Sequence, residues 1–147
     1  MNTIQLTNIM KQHPATKKFY LGTFSLDNLP KKIVYPSCFI FNNQKSHLPG
    51  QHWIAIYFSK SKKSEFFDSL GKSPGDYGVE DYLKKHSNKI SFSDKKLQSN
   101  NSEYCGFYCL LFLISKCKSR SLKYFLSLFD TAKINDRTFD HLLKKYY

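Results

Sequence analysis

The chain has 147 residues and is 41% hydrophobic, with 13 Phe and 10 Tyr against 6 Gly and 5 Pro. This length fits a single domain (residues 1–147) with enough apolar material for a core, which excludes a disordered tail or a fibrous repeat. The net charge is +12, and 21 of the 23 basic residues are Lys. Lys attracts polyanions without reading bases, so base-specific DNA recognition is not expected. Nonspecific nucleic-acid binding and a merely solvated basic surface both remain open.

The first half of the chain predicts one helix and several strands. Residues Thr3–Lys11 have loosely helical apolar spacing and stop at His13-Pro14. Short aromatic or β-branched runs bounded by Pro, Gly, Asn and Lys then indicate strands. These predicted strands are Phe19–Phe24, Cys38–Phe41, Trp53–Phe58 and Glu65–Asp68, with a hairpin loop at Ser59–Ser64.

The second half is mainly helical in pattern. Helices are predicted at Val79–His86 and at Cys105–Lys118, the latter with Cys109, Phe112 and Leu113 facing the core. Two amphipathic helices follow: one with Leu122, Phe125, Leu126 and Phe129 on its apolar face, the other with Phe139, Leu142 and Leu143 after a capping Asn135. This order predicts an α+β fold, in which a small mixed or antiparallel sheet packs against helices.

The sequence contains neither a secretory h-region at its N-terminus nor a run of about 20 apolar residues. We therefore expect a soluble intracellular monomer that does not contact membranes and is not secreted. In that setting the four cysteines (Cys38, Cys105, Cys109, Cys117) are expected to be reduced thiols rather than a disulfide framework.

Two strand ends carry residues suited to acid–base chemistry. His52 precedes the predicted strand Trp53–Phe58, and Asp68 closes the strand Glu65–Asp68. An imidazole beside a carboxylate forms a general base with its orienting partner. Taken singly, each residue is better explained without catalysis, His52 as a surface histidine and Asp68 as a turn residue.

The segment LQSNNSEYCGFYCLLFL favours the catalytic interpretation. It places Cys105 where a polar loop meets an apolar helix, and there free backbone N–H groups and the helix dipole lower a thiol's pKa. Gly106 would leave room for a substrate backbone, and Gln98 offers an N–H donor. A buried structural cysteine is the alternative for Cys105. A metal site is not expected, because the chain has no C-x-x-C or H-x-x-x-H pair.

These motifs resemble a known family. The sequences GQHW, FDSLG and LQSNNSEYCGFYC, together with KKFYLGTF earlier in the chain, are similar to those of the adenovirus processing protease (adenain) family, including virophage and Polinton-type relatives. The order His, acid, Gln, Cys separates this group and the SUMO-deconjugating proteases from papain-type enzymes, in which Cys precedes His. The resemblance covers most of the chain, up to the helix that ends near Lys118, and implies a cysteine protease fold with the nucleophile at a helix N-terminus.

The resemblance also implies roles for individual residues. His52 would be the general base, Asp68 its acidic partner, Gln98 the oxyanion-hole donor and Cys105 the nucleophile. Trp53 would form an aromatic wall at the substrate site, although the single Trp of the chain could equally fill the core. Adenain has Glu where this chain has Asp68, whereas the SUMO proteases have Asp.

The strand register leaves the identity of the acid open. A tight hairpin centred on Ser61 and Lys62 places His52 opposite a residue near Gly71, which leaves Asp68 about 10 Å away along the strand. Unless the hairpin shifts or bends, Asp76 or Asp81 would have to serve as the acid.

The resemblance suggests a viral maturation protease that cleaves capsid and core precursor proteins near glycine, in the virion and the infected host cell. A protease that removes a ubiquitin-like modifier is the alternative, and a basic nucleic-acid-binding module without catalysis is a third possibility. No cofactor is expected, apart from possible stimulation by DNA.

Adenain is activated by a short viral peptide that forms a disulfide with a cysteine lying between the acid and the Gln. In this chain the corresponding residues, Ser69–Leu97, contain no cysteine. We therefore expect activity without a covalently attached peptide.

Overall fold

The computed structural model describes residues 1–47, 52–100, 102–129 and 135–138. These residues form a mixed sheet whose five strands lie side by side in chain order. The strands are β1 (Tyr20–Ser25), β2 (Ser37–Asn42), β3 (Trp53–Phe58), β4 (Lys63–Phe67) and β5 (Lys89–Phe92). The inner pairs β2–β3 and β3–β4 are antiparallel, whereas the outer pairs β1–β2 and β4–β5 are parallel. The start of β3 and the end of β4 therefore lie at the same end of the sheet.

Around this sheet pack the helices whose bounds lie within the described ranges: α1 (Thr3–Gln12), α2 (Glu80–His86), α3 (Cys105–Cys117) and α4 (Leu122–Ser127). Helix α1 begins with a capping box, in which Asn2 and Gln5 satisfy each other's backbone N–H groups. Helix α3 is apolar on most of its surface, as expected of a helix buried between a sheet and other elements. None of the helices in the described part of the chain has the length and apolarity of a membrane span.

Strand alternation divides the core between the two faces of the sheet. Cys38, Ala55 and Phe67 face α1, α3 and α4, where Tyr108 and Phe112 complete the cluster. The neighbouring positions in the strands face the opposite way, towards α2. That second cluster contains Phe39, Phe41, Ile54, Ile56, Phe58, Phe66, Val79 and Leu83. The sheet is thus covered on both faces, and its central strands are almost wholly buried.

The predicted α+β fold class is confirmed, and Cys105 is the first residue of α3. Most predicted elements agree with the structure to within one or two residues. The hairpin loop is shorter than predicted, since β4 already begins at Lys63, and the edge strand β5 was not predicted. Asn135 is a buried helical residue that donates a hydrogen bond to the Leu97 carbonyl. The apolar face predicted from Phe139, Leu142 and Leu143 lies outside the described residues.

Candidate active site

His52 and Asp68 meet at one end of the sheet. His52 immediately precedes β3 and Asp68 immediately follows β4. Their side chains are joined by a hydrogen bond of 2.5 Å between His52 Nε2 and Asp68 Oδ1. Both residues are buried, with 7% and 2% of their surfaces exposed.

The observed register explains why Asp68 reaches His52. Ala55 pairs with Phe67, so the register is one residue away from the tight hairpin considered above. In addition, β4 ends at Phe67 and the chain turns at once, with the Gly71 N–H donating to the Asp68 carbonyl at 2.9 Å. This turn takes Asp68 out of the sheet and towards His52.

The two other candidate acids are engaged or placed elsewhere. Asp76 accepts hydrogen bonds from the backbone N–H and the hydroxyl of Ser73, and so caps the 3-10 helix Pro74–Tyr77. Asp81 lies exposed in the first turn of α2. In the structure, His52 is therefore paired with Asp68.

The Asp68 carboxylate is held by three donors besides His52. The backbone N–H of Leu70 donates to Oδ1 at 3.0 Å, while the N–H of Lys72 and the Tyr77 hydroxyl donate to Oδ2 at 3.1 and 2.7 Å. Burial alone would raise the pKa of Asp68, but the bond from His52, aided by Tyr77 and Leu70, lowers it below its usual value. The carboxylate is thus kept ionised and fixed in orientation.

Cys105 lies beside the other ring nitrogen of His52. Because Nε2 is bonded to Asp68, Nδ1 is the ring nitrogen left to interact with the Cys105 thiol. His52 and the backbone N–H groups of Trp53 and Gly106 are the groups that favour the thiolate form of Cys105. Burial would raise the pKa of Cys105, but these partners lower it below that of an ordinary thiol.

The pKa of His52 moves in the complementary direction. Burial would lower this pKa, but the hydrogen bonds to Asp68 and Cys105 and the negative charges of these groups raise it to about 9. A lowered thiol pKa beside a raised imidazole pKa favours transfer of the thiol proton to the ring, which gives a thiolate–imidazolium pair. This is the form in which a cysteine acts as a nucleophile.

Gln98 is fixed at both ends of its amide. Its Oε1 accepts a hydrogen bond from the Ser69 hydroxyl at 2.5 Å, and its Nε2 donates to the Ser102 carbonyl at 2.6 Å. Gln98 is only 3% exposed, yet it lines the same groove as Cys105. The structure therefore brings together all four residues that were predicted to be catalytic.

A groove with a volume of about 890 Å³ is lined by His52, Gln98 and Cys105. Residues 42–46, at the end of β2, line one part of it, and Leu70, Lys72 and Tyr77 line another. Most of these side chains are polar or charged. The groove is open to solvent on the outside, as an extended peptide would require.

Trp53 and Gly106 differ in their relation to this groove. Trp53 lines it and also packs on the core, and its indole N–H donates to the Met1 carbonyl at 3.0 Å. Gly106 instead lies beneath the surface, where a Cβ atom would meet Met1, Leu6 and Trp53 at 3.4 Å. The small size of Gly106 thus accommodates α1 and Trp53 rather than a substrate backbone, contrary to the sequence-based expectation.

Sequence reasoning missed two residues that contact this cluster. Tyr77 bonds to Asp68 and stacks on His52, with the ring centroids 6.4 Å apart. Ser69 bonds to Gln98. The FDSLG motif could have drawn attention to Ser69, whereas no local pattern marks Tyr77. In the described ranges, no three His, Cys, Asp or Glu side chains are grouped as a metal site requires.

Comparison with solved structures finds proteins that share the fold of this chain. The chain superposes on the ASFV pS273R protease with a TM-score of 0.60 at 15% sequence identity, over 92% of this chain and 64% of that one. The chain thus spans less than two thirds of the length of that protease. It also matches the central domain of the uncharacterized Lpg1148 protein from Legionella pneumophila, with a TM-score of 0.50 at 14% identity, over 99% of this chain and 98% of that one. No protein-family model and no curated protein matches the sequence.

Proposed function

We propose that this protein is a cysteine endopeptidase in which Cys105 is the nucleophile, His52 the general base and Asp68 the group that orients His52. The observation that supports the proposal most strongly is the grouping of Asp68, His52 and Cys105: His52 is hydrogen-bonded to Asp68 and lines an open groove together with Cys105. A buried structural cysteine would need neither a cationic partner nor access to solvent.

The geometry suggests the following reaction. The Cys105 thiolate attacks the peptide carbonyl carbon, and the carbonyl oxygen becomes an oxyanion that accepts N–H bonds from Gln98 and from the Cys105 backbone. When this intermediate collapses, the C–N bond breaks and the His52 imidazolium gives its proton to the leaving amine. Water, deprotonated by His52, then attacks the thioester, releases the acid and restores the thiolate. The net reaction consumes one water for each peptide bond.

The protease proposal can be tested with a fluorogenic peptide that ends in Gly-Gly-aminomethylcoumarin. We expect the wild type to release the fluorophore and Cys105→Ala to release none. Cys117→Ala is the matched control, because it removes a thiol from the other end of the same helix, and it should retain turnover. Equal turnover in the wild type and Cys105→Ala would contradict the proposal.

The proposed natural substrates are viral capsid or core precursor proteins, cut near glycine during virion maturation in the virion or the infected cell. This proposal rests on the motif resemblance to the adenain family, and it receives general support from the fold shared with a viral protease. Incubation with candidate precursors and, in parallel, with a glycine-extended ubiquitin-like protein would test it. Cleavage of the ubiquitin-like protein alone would favour the deconjugating function.

A nucleic acid is the proposed accessory partner. At the end of the sheet opposite the candidate active site, the β3–β4 loop, the start of β5 and the end of α2 present exposed lysines: Lys60, Lys62, Lys63, Lys84, Lys85 and Lys89. Phosphates bound there would release counterions, so binding should weaken steeply with salt.

We expect the purified monomer to cleave peptide without added partners. DNA should raise this activity at about 50 mM salt and have little effect at about 200 mM. A DNA effect that is independent of salt would contradict this electrostatic account.

A further inference from the structure

We propose that Ser69 is a positioning residue which fixes the amide of Gln98 so that one of its N–H groups serves the oxyanion. This inference rests on the proposed protease function. Ser69 is wholly buried, and its hydroxyl lies 2.5 Å from Gln98 Oε1. Its carbonyl also accepts the backbone N–H groups of Leu97 and Gln98, at 2.8 and 3.0 Å. Both the main chain and the side chain of Gln98 are therefore attached to Ser69.

The hydrogen bonds define which way the amide of Gln98 faces. A backbone carbonyl can only accept, so the atom 2.6 Å from the Ser102 carbonyl must be the amide nitrogen. The amide oxygen then faces Ser69, whose hydroxyl is the donor. The nitrogen carries two hydrogens, and Ser102 takes one of them. The second N–H is the one available to a substrate oxyanion in the groove.

Loss of the Ser69 hydroxyl would leave the Ser102 carbonyl as the single contact of the amide that fixes its orientation. Oε1 would be left buried without its donor, and a rotated amide would turn its oxygen towards the place where the oxyanion forms. Such a rotation exchanges an attractive contact for a repulsive one in the transition state. Because the oxyanion exists only during the reaction, the cost should fall on kcat rather than on KM.

Ser69 directly follows Asp68, so two adjacent side chains orient the two halves of the site. Asp68 orients the base, and Ser69 orients the oxyanion donor. The turn that separates them from the sheet requires Gly71, which has φ +78° and whose Cβ, if present, would lie 2.6 Å from the Asp94 carbonyl oxygen. This close approach holds the segment leading to Gln98 against the turn.

The test is steady-state cleavage of the Gly-Gly-aminomethylcoumarin peptide by Ser69→Ala. We expect kcat to fall roughly 10- to 100-fold with little change in KM, which is less than the roughly 100- to 1,000-fold typical of losing an oxyanion donor itself. Iodoacetamide should alkylate Cys105 at the wild-type rate, because the thiolate does not depend on Gln98. The matched control is Ser64→Ala, which removes an equally buried hydroxyl, bonded to Ser87, from the same region of the chain. Its kcat should stay at the wild-type value.

A double variant separates positioning from a general structural effect. If Ser69 acts through Gln98, then Ser69→Ala added to Gln98→Ala should cause no further loss of kcat. Wild-type kcat in Ser69→Ala, or a full additional loss in the double variant, would overturn the inference. If Ser69→Ala does not fold, Ser69→Cys replaces it, since a thiol has nearly the same shape but donates weakly, and the same lowered kcat is expected. A wild type without turnover would overturn the proposed function, and the inference with it.

Discussion

The two ends of helix α3 place cysteines in contrasting surroundings. At the N-terminal end, His52 lowers the pKa of Cys105 although the residue is buried. At the C-terminal end, Cys117 is half-buried, with its sulfur 4.0 Å from that of Cys38. The bond from Cys38 and the nearby Lys116 lower the pKa of Cys117, while the bond to Cys117 and burial raise that of Cys38.

Cys109, one turn after Cys105, completes the comparison. It is fully buried, and burial raises its pKa well above that of a free thiol. Burial thus opposes the thiolate at every one of these positions, and the partner decides the outcome. A cationic imidazole can offset the burial of Cys105, whereas the bonding partner at the other end is a second thiol.

Removal of the His52 imidazole should have the largest effect on kcat, since it removes the cationic partner that distinguishes Cys105 from the cysteine at the other end of α3. We expect His52→Ala to lower kcat by about 10⁴-fold or more, because the base is lost and the thiolate is no longer stabilised. The pKa of Cys105, measured from the pH dependence of its alkylation, should rise. His86→Ala is the control, at the end of the sheet opposite the candidate site, and it should keep wild-type kcat. An unchanged alkylation profile in His52→Ala would show that the helix N-terminus alone activates the thiol.

Alkylation rates of the four cysteines should reflect the comparison directly. Each pKa unit changes the thiolate fraction about tenfold at neutral pH. We therefore expect Cys105 to react first with brief iodoacetamide treatment, Cys117 clearly later, and the buried Cys38 and Cys109 last. Mass spectrometry of the digested protein gives the order. If Cys117 were labelled as fast as Cys105, a neutral thiol partner would be sufficient to activate a cysteine towards alkylation.

Asp68→Asn should weaken the support that His52 gives to Cys105 at the N-terminal end of α3, without abolishing it. The amide keeps a hydrogen-bonding group beside His52 but removes the charge that raises the pKa of the ring. We expect kcat to fall on the order of 100-fold, less than for His52→Ala. Asp76→Asn is the matched control. A greater loss of kcat in that variant would show that Asp76, and not Asp68, is the acidic partner of His52.

The pH dependence of stability should carry the signature of His52. Its pKa is raised to about 9 in the folded protein from an ordinary 6.5, so folding favours the protonated ring. Its contribution is fully present below pH 6.5 and is lost as pH rises through about 9. The unfolding free energy of the wild type, compared with His52→Ala by urea titration, should therefore lose on the order of 1–3 kcal/mol across this window. A difference that grew with pH would contradict the assigned charges.

Tyr77→Phe should have the smallest effect. It removes one of the donors to Asp68 but keeps the ring that stacks on His52. The loss of a hydrogen bond of this kind is worth about 0.5–1.5 kcal/mol, or roughly a 2- to 10-fold fall in kcat. The pKa of Asp68 should rise, so the acid limb of the pH–rate profile should move to higher pH. An acid limb at the wild-type pH would show that the Tyr77 hydroxyl does not affect the pKa of Asp68 and that only the ring contributes, by packing.

Local sequence patterns were sufficient for much of the fold, whereas the four residues of the cluster also needed the motif resemblance, and the strand register left the acid open. Helix α3 could be predicted because its apolar run is long, and β3 because its aromatic and β-branched residues are bounded by polar ones. The order of His52, Asp68, Gln98 and Cys105 along the chain then pointed to a shared site. These predictions depend on neighbours in sequence, which a sequence displays directly.

The features that were missed depend on contacts between distant residues. Strand β5 (Lys89–Phe92) is a four-residue edge strand, too short and too exposed for a recognisable pattern. Its parallel pairing with β4 could not be read from composition. Tyr77 reaches Asp68 only because of the turn after β4 and the 3-10 helix at Pro74–Tyr77, and the burial of Gly106 depends on where α1 packs.

The mixed pairing of the sheet also has a consequence for how the site assembles during folding. The β3–β4 hairpin closes the short loop 59–62, whereas β5 joins β4 only after residues 68–88, and α3 follows later still. Loop-closure entropy rises with loop length, so the hairpin carrying His52 and Asp68 loses the least chain entropy on forming. We expect the amides of β3 to gain hydrogen-exchange protection early in refolding. Cys105 should become fast-reacting towards iodoacetamide only at the end, when α3 docks and completes the catalytic pair.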